Sequence, residues 1–199
     1  MATIIMVIRH AEKPDGDGNG NQSGIDENGV PDRESLTVRG WTRAGALAVL
    51  LAPSPPMSNA VLARPTAIYA SAPVKSTDAA GARVGTHSRR PSQTISPLAS
   101  KLEVAPNLNF TLRQEALMVA DAKAAGGIVL ICWEHQAIPA IAGEISGKDS
   151  PAAQLKWPKE RFDVVWVFES EDGISNWTFK QVCQRVLNGD SSQPIQSSV

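Results

Sequence analysis

The segment Gly127-Ile-Val-Leu-Ile-Cys-Trp133 is the strongest strand signal in the chain. Its short, continuous apolar run is typical of a strand that is buried on both faces, as in a parallel sheet. Ala2-Thr-Ile-Ile-Met-Val-Ile8 has the same pattern, and Ala67-Ile-Tyr-Ala-Ser71 is a shorter version of it. These three runs predict buried strands that are far apart in sequence.

Helical patterns alternate with these strands. Thr37 is expected to be the N-cap of the first helix, and Pro97 is expected in the first turn of the second. Leu117 is expected on the buried face of the third helix. The apolar spacing predicts helices over residues 39–51, 92–102, 114–125 and 138–145.

Two apolar segments near the end of the chain, residues 163–169 and 176–182, flank a Glu-Asp-Gly turn and predict a hairpin. Residues 110–112 are interpreted as one more short strand. Alternating strands and helices favour an α/β fold, a three-layer sandwich with a mostly parallel sheet and helices on both faces. The hairpin is expected to add antiparallel strands at one edge of this sheet.

Composition limits the classes of protein that this chain can belong to. The 199 residues are 42% apolar and 20% charged, which fits one globular domain, expected over residues 1–189 with a flexible tail over 190–199. A net charge of −1 and the lack of an apolar run long enough to span a bilayer argue against nucleic-acid and membrane partners. Two cysteines form neither a disulfide framework nor a zinc site, and no basic leader is evident, so a cytoplasmic location is expected.

Two of the three histidines directly follow predicted strands. Arg9-His10 follows the first strand, and Glu134-His135 follows the strand that ends at Trp133. Ligands of open parallel sheets bind outside the carboxyl ends of the strands. A single histidine there is more often structural, but two histidines beside arginines suit a phosphoryl group. Guanidinium groups match its oxygens in a bidentate way, and a neutral imidazole is a competent nucleophile toward phosphorus.

Four motifs in order extend this interpretation. Ile8-Arg9-His10-Ala11-Glu12-Lys13 resembles the Arg-His-Gly signature of the histidine phosphatase superfamily, which has the phosphoglycerate-mutase-like fold. Leu36-Thr37-Val38-Arg39-Gly40-Trp41-Thr42-Arg43-Ala44 resembles its Leu-Thr-x-x-Gly-x-x-x-Ala helix start. Arg90-Pro91-Ser92-Gln93-Thr94 is similar to its Arg-Ala-x-Gln-Thr segment, and Glu134-His135-Gln136 stands where its second histidine is expected. The resemblance covers residues 2 to about 145.

The resemblance implies a mechanism without metal or cofactor. His10 is expected to attack phosphorus, and Arg9, Arg90 and His135 to bind the phosphoryl oxygens, with Lys13 as a further source of positive charge. Water then hydrolyses the phosphohistidine. Arg89 is an alternative to Arg90, although the motif register favours Arg90.

The proton donor is left open, because Gln136 follows the second histidine where one branch of the family has an acidic donor. Glu115 lies where the other branch has its acid, and Glu12 and Glu134 are closer in sequence to the two histidines. The sequence therefore predicts a phosphatase for a small phosphorylated compound or a phosphoprotein. A mutase of the same fold and a non-catalytic phosphate-binding protein are the alternatives, and the oligomeric state is not predicted.

Residues 14–35 form a long polar segment directly after the proposed nucleophile. Its position suggests a lid or specificity element over the pocket. Asp15-x-Asp17-x-Asn19-Gly20, with Asp26 at the twelfth place, also resembles a calcium loop. Against calcium, the twelfth residue is Asp and not Glu, and Pro14 prevents a normal entering helix.

Overall fold

The computed structural model describes residues 2–14, 23–54, 62–77 and 79–196, without the side chain of Arg83. Their main sheet has five strands in the order β2-β5-β1-β6-β7. β1, β2 and β5 run parallel, whereas β6 pairs antiparallel with both β1 and β7. The strands are β1 (Thr3–Arg9), β2 (Ala67–Ala70), β5 (Gly127–Trp133), β6 (Val164–Ser170) and β7 (Thr178–Cys183).

Five helices are present among the described residues, and the four longer ones cover both faces of the sheet. Side chains alternate along β1, so that Ile5 and Val7 pack on one side while Met6 and Ile8 pack on the other. The first side carries α3 and α4, and the second carries α1 and α2. The helices are α1 (Val38–Leu51), α2 (Arg90–Leu102), α3 (Glu115–Ala125), α4 (Ile138–Ser146) and α5 (Pro151–Gln154).

This architecture confirms the predicted α/β sandwich and its antiparallel pair at one edge. The cap of α1 is also confirmed, since Thr37 Oγ1 accepts a hydrogen bond from Gly40 N at 3.1 Å. The expectation for Pro97 is wrong. Pro97 lies inside α2, and Pro91 occupies the first turn instead. Because Pro97 has no N–H, the Gln93 carbonyl oxygen accepts from Ser96 Oγ at 3.0 Å.

Two other local predictions are wrong. Residues 110–112 are not a strand, because their carbonyl groups bind two separate segments: Phe110 O accepts from Ala72 N, and Leu112 O from Gly85 N. Leu117 is 62% exposed, and α3 instead buries Met118, Val119 and Ala122.

A small hairpin was not predicted. It is formed by β3 (Lys75–Thr77) and β4 (Arg83–Gly85), which lie between β2 and α2. Its strands are three residues long and β3 is fully exposed, so they carry no apolar alternation that a sequence pattern could reveal.

The last described residues lie against the domain. Ile195 is 4% exposed, and its backbone exchanges two 2.9 Å hydrogen bonds with the side chain of Gln181. Asp190 forms an ion pair with Arg43 at 2.7 Å. The segment that the sequence suggests as a tail thus makes specific contacts up to residue 195.

Candidate active site

His10 lies at the centre of the sheet edge where β1, β2 and β5 have their carboxyl ends. Its backbone N–H donates to Trp133 O at 3.0 Å, which extends the β1–β5 ladder by one residue. The residue is 3% exposed, and its Nδ1 lies 2.8 Å from Ala11 O. A carbonyl oxygen can only accept, so we assign the proton to Nδ1 and the free lone pair to Nε2.

The surroundings of His10 favour its neutral form. Burial lowers the pKa of His10 well below its ordinary value, and the positive charges of Arg9, Arg90 and Lys13 lower it further. An imidazole in this environment carries no proton on Nε2 at neutral pH, as a nucleophile requires.

Arg9 is fixed within the protein beside His10. It is 1% exposed, and its Nη1 donates to the carbonyl oxygens of Pro158, Lys159 and Arg161, the first at 3.4 Å and the last at 3.1 Å. The ring of Phe162 covers the guanidinium group, with 3.7 Å between the ring centroid and Cζ. Residues 158–162 thus determine the orientation of Arg9, and no motif in the sequence indicated this role.

Arg90 lies at the start of α2, and its side chain is 14% exposed. Its Nη1 donates to Ser88 Oγ at 3.2 Å, and its Nη2 donates to Arg33 O at 2.7 Å and to Glu34 Oε2 at 3.4 Å. The segment after His10 therefore folds back onto the second arginine.

Thr94 connects this first turn of α2 to the residue after His10. Its Oγ1 accepts from Ala11 N at 2.8 Å and donates to Arg90 O at 2.7 Å. Arg89, the alternative to Arg90, is occupied elsewhere, because its guanidinium pairs with Glu27 at 2.6 Å and is 3.8 Å from Asp32.

His135 lies in the turn between β5 and α4 and is half-buried. Burial and then the charges of Arg9 and Lys13 lower the pKa of His135 from 6.5 to about 4. The charges of Arg9 and Lys13 thus lower the pKa of both histidines, and the charge of Arg90 lowers the pKa of His10. Arg9 and Lys13, two of the predicted phosphate-binding cations, therefore lie close enough to both histidines to influence them.

The three candidate proton donors have different surroundings. Both carboxylate oxygens of Glu12 lie 3.1 Å from Arg43 Nε, so the carboxylate is held in an ion pair with Arg43. Glu115 starts α3, and its Oε1 accepts from Trp133 Nε1 at 2.8 Å and from Arg113 N at 3.0 Å. Glu134 is adjacent to His135, and its charge acts on Arg90.

Most of the resemblance to a calcium loop falls on residues 15–22, which lie outside the described residues. Asp26 is described, and its Oδ1 accepts from Asn28 N at 2.9 Å and from Val30 N at 2.8 Å, so it closes a turn. Within the described ranges, no group of three or more His, Cys, Asp and Glu side chains could bind a metal ion. The same residues contain no helix of the length and apolarity that crossing a bilayer requires.

No family model matches the sequence, and no curated protein matches it either. A structure of the protein histidine phosphatase SixA complexed with tungstate is similar over 91% of this chain and 97% of that chain, with a TM-score of 0.53 at 15% identity. The chain has the histidine phosphatase fold. A second structure, described as a phosphohistidine phosphatase SixA from Agrobacterium tumefaciens, has a TM-score of 0.48 at 14% identity. The similarity covers 91% of this chain and 98% of that chain.

The histidine phosphatase fold brings together residues from sequence-distant segments. His10 and Lys13 follow β1, Arg90 starts α2 and His135 follows β5. The sequence indicated these four residues through strand ends and motif order. It did not indicate Phe162, and it gave no role to Thr94, although Thr94 ends the motif that begins at Arg90; the contacts of both residues with the site depend on tertiary packing.

Proposed function

We propose that this protein is a phosphatase that hydrolyses a phosphomonoester through a phosphohistidine at His10. The observation that carries the proposal is the state of His10, which is buried and neutral, with Nδ1 bound to Ala11 O and the charges of Arg9, Arg90 and Lys13 around it. A neutral imidazole among cations can attack an anionic phosphoryl group, and the cations stabilise the charge on the transferring oxygens.

The reaction proceeds in two displacements. In the first, the Nε2 lone pair of His10 forms a bond to phosphorus, and the bond between phosphorus and the ester oxygen breaks with its electron pair on that oxygen. In the second, water attacks phosphorus and gives a proton to the carboxylate that protonated the leaving oxygen, the P–N bond breaks, and neutral His10 and inorganic phosphate are formed. We assign Arg9, Arg90 and His135 to the phosphoryl oxygens, with Lys13 as a supplementary charge.

For the proton on the leaving oxygen, we propose Glu115 or Glu134 over Glu12. The guanidinium group of Arg43 contacts both oxygens of Glu12, so neither oxygen is available to the leaving group. A series of aryl phosphates distinguishes the other two. The Glu→Gln change at the true donor slows the substrates with poor leaving groups strongly and a nitrophenyl ester only weakly.

The substrate class that we propose is a small phosphorylated compound in the cytoplasm. A phosphohistidine on a protein is the second candidate, because SixA, whose fold this chain shares, is a protein histidine phosphatase. Assays with an aryl phosphate and with a phosphohistidine-bearing protein, run in parallel, separate these two substrate classes.

The decisive experiment measures phosphate release from an aryl phosphate between pH 5 and pH 8, without added metal. We expect activity in the wild type and a loss of at least about 1,000-fold in His10→Ala. His87→Ala is the matched control, since His87 is exposed and is the third histidine of the chain. Trapping the 32P-labelled phosphoenzyme by acid or base quench identifies the P–N bond, which is labile in acid and stable in base.

Three other outcomes would contradict the proposal. Equal activity in wild type and His10→Ala would exclude His10 as the nucleophile. Transfer of the phosphoryl group to another hydroxyl of the same compound, without release, would indicate the mutase. Tight binding of vanadate with no turnover of either substrate class would indicate a phosphate-binding protein.

A further inference from the structure

A buried ion cluster lies next to the segment that carries His10, and the mechanism above does not use it. At its centre is Arg43, whose side chain is 2% exposed. Arg43 Nη2 donates to Glu12 Oε1 at 2.9 Å and to Asp190 Oδ1 at 2.7 Å. Its Nη1 donates to Gln184 Oε1 at 3.0 Å and to Asp190 Oδ2 at 3.1 Å. One guanidinium group therefore bridges two carboxylates that are 178 positions apart.

One end of this cluster fixes the segment after His10. The carbonyl oxygen of Glu12 accepts from Thr37 N at 3.0 Å and Thr37 Oγ1 at 3.3 Å. Helix α1 approaches so closely that a Cβ atom at Gly40 would lie 2.5 Å from this oxygen. Glu12 is thus fixed through its backbone by the start of α1 and through its side chain by Arg43.

The residues on either side of Glu12, Ala11 and Lys13, both interact with His10. Ala11 O binds Nδ1 of His10, and the charge of Lys13 acts on His10 and His135. A displacement of Glu12 therefore changes the tautomer contact of the nucleophile and the field at both imidazoles.

The other end of the cluster is a turn near the end of the chain, residues 186–190, which we call the C-terminal turn. Asp190 is 3% exposed at its side chain, and its Oδ2 accepts from Val186 N at 2.9 Å and Leu187 N at 3.0 Å. Arg39 adds a second link, since its Nη2 donates to Asn188 O at 2.7 Å and its Nε to Glu12 Oε1 at 3.2 Å. The C-terminal turn thereby closes over α1 and the His10 segment.

We propose that Asp190 is a positioning residue for the reaction, which through Arg43 and Glu12 sets the position of residues 10–13. The inference rests on the function proposed for His10. Buried ion pairs often stabilise a fold no better than apolar residues of the same size, so stability alone is a poor explanation for this cluster. An ion pair does fix geometry, and a shift of about 1 Å in a reacting group can cost about 100-fold in rate.

The test uses Asp190→Asn, which keeps the size of the side chain and removes its charge. We expect kcat for an aryl phosphate to fall about 10-fold with a smaller change in KM, because the change misplaces the nucleophile and not the bulk of the substrate. Arg43→Lys is the second variant, since it keeps the charge but cannot bridge both carboxylates with one fork. It is expected to lower kcat similarly, and it tests the proposal if Asp190→Asn does not fold.

The matched control is Gln181→Ala. Gln181 binds the same terminal segment at Ile195, through two hydrogen bonds that do not involve the cluster. We expect it to lower Tm by an amount comparable to Asp190→Asn and to leave kcat unchanged. If kcat falls in both variants in proportion to Tm, or in neither, Asp190 has only a structural role and the proposal is overturned.

A second readout separates this inference from the proposed function. Calorimetric titration with tungstate, a tetrahedral oxyanion, measures the phosphoryl site without turnover, and Asp190→Asn is expected to weaken binding several-fold. A wild type that binds tungstate but hydrolyses no ester overturns the phosphatase proposal alone, and the tungstate affinity of Asp190→Asn then decides the inference. A wild type that neither binds nor hydrolyses overturns both.

Discussion

The end of β1 and the first turn of α2 each bring an arginine toward His10, but they do so in different ways. Arg9 is 1% exposed and donates to main-chain carbonyl oxygens of residues 158–161 under the ring of Phe162. The side chain of Arg90 is 14% exposed and contacts the more exposed carboxylate of Glu34. Arg9 is therefore bound by main-chain groups of the protein interior, whereas Arg90 donates both to a main-chain oxygen, Arg33 O, and to a carboxylate near solvent, which an incoming anion is expected to replace.

Substitutions at these two arginines therefore separate two effects, the loss of packing and the loss of positive charge. A change at Arg9 alters both the packing of the domain and the charge beside His10, the proposed nucleophile. A change at Arg90 alters the charge with little effect on packing. Substitutions at the two arginines and at their partners test that separation.

Arg9→Met is expected to abolish phosphatase activity and to destabilise the fold. The change removes the donor to the carbonyl oxygens of Pro158, Lys159 and Arg161. Leaving buried acceptors without a donor costs about 1–3 kcal/mol, so we expect the free energy of unfolding to fall by about 2–3 kcal/mol. Urea unfolding and the aryl phosphate assay measure the two effects. An active variant of unchanged stability would mean that Arg9 is not integral to the interior.

Arg90→Ala is expected to lower kcat/KM about 100-fold, the usual cost of removing one donor to a developing oxyanion. Its free energy of unfolding is expected to fall by only about 1 kcal/mol, because its hydrogen bond to Arg33 O is exposed, its bond to Ser88 Oγ is partly buried and its ion pair is with a half-exposed carboxylate. The control is Arg89→Ala, which removes the neighbouring guanidinium and its pair with Glu27. A larger loss of activity in Arg89→Ala would show that Arg89 is the phosphate ligand.

The pH dependence of stability compares the two histidines in the same way. The folded-state pKa values of His10 and His135 both lie below the ordinary value of 6.5, the latter at about 4. Below pH 6.5 the unfolded chain therefore binds more protons than the folded one, and stability falls as the pH falls. Urea unfolding at pH 7 and pH 5 is expected to show this loss.

The variants His10→Gln and His135→Gln show how much each histidine contributes to the loss of stability between pH 7 and pH 5. Each variant is expected to remove a similar share of this loss, because a folded-state pKa of about 4 leaves His135 neutral at pH 5, as burial leaves His10 neutral. A variant that leaves the loss unchanged would mean that its imidazole is already protonated in the folded protein at pH 5.

The sequence predicts those parts of the fold that depend on local apolar patterns. The continuous runs ending at Ile8 and Trp133 are buried strands, and the two histidines after them lie at the same edge of the sheet because parallel strands end together. The order of the strands does not follow from these patterns, because a continuous apolar run does not identify its neighbours in the sheet. The short hairpin β3–β4 was not predicted, since its strands have three residues each and Val84 is their only buried apolar side chain.

The parts of the site that the sequence does not predict depend on contacts between distant segments. Phe162 covers Arg9 across 153 positions, and Asp190 reaches Arg43 across 147. Neither lies in a motif, and no local periodicity marks a residue whose partner is so far away. The same reason applies to Glu34, whose contact with Arg90 arises only when the segment after His10 folds back.

Glu34→Gln is expected to have the smallest effect, and in the opposite direction. The Glu34 carboxylate lies 3.4 Å from Arg90 Nη2 and competes with an oxyanion for that donor. Removing the charge should strengthen tungstate binding about 1.4- to 5-fold, the equivalent of the 0.2–1 kcal/mol that exposed ion pairs contribute. Calorimetric titration at low salt measures this gain, which high salt should reduce because the pair is partly exposed.

The control for this variant is Glu27→Gln, which removes a carboxylate of the same segment that pairs with Arg89 at 2.6 Å. If the gain at Glu34 comes from release of Arg90, Glu27→Gln should leave the tungstate affinity unchanged. An equal gain in both variants would instead mean that the affinity responds to the total charge of the segment. In that case Arg90 would have no partner that an anion specifically displaces, and the contrast with Arg9 would reduce to a difference in burial.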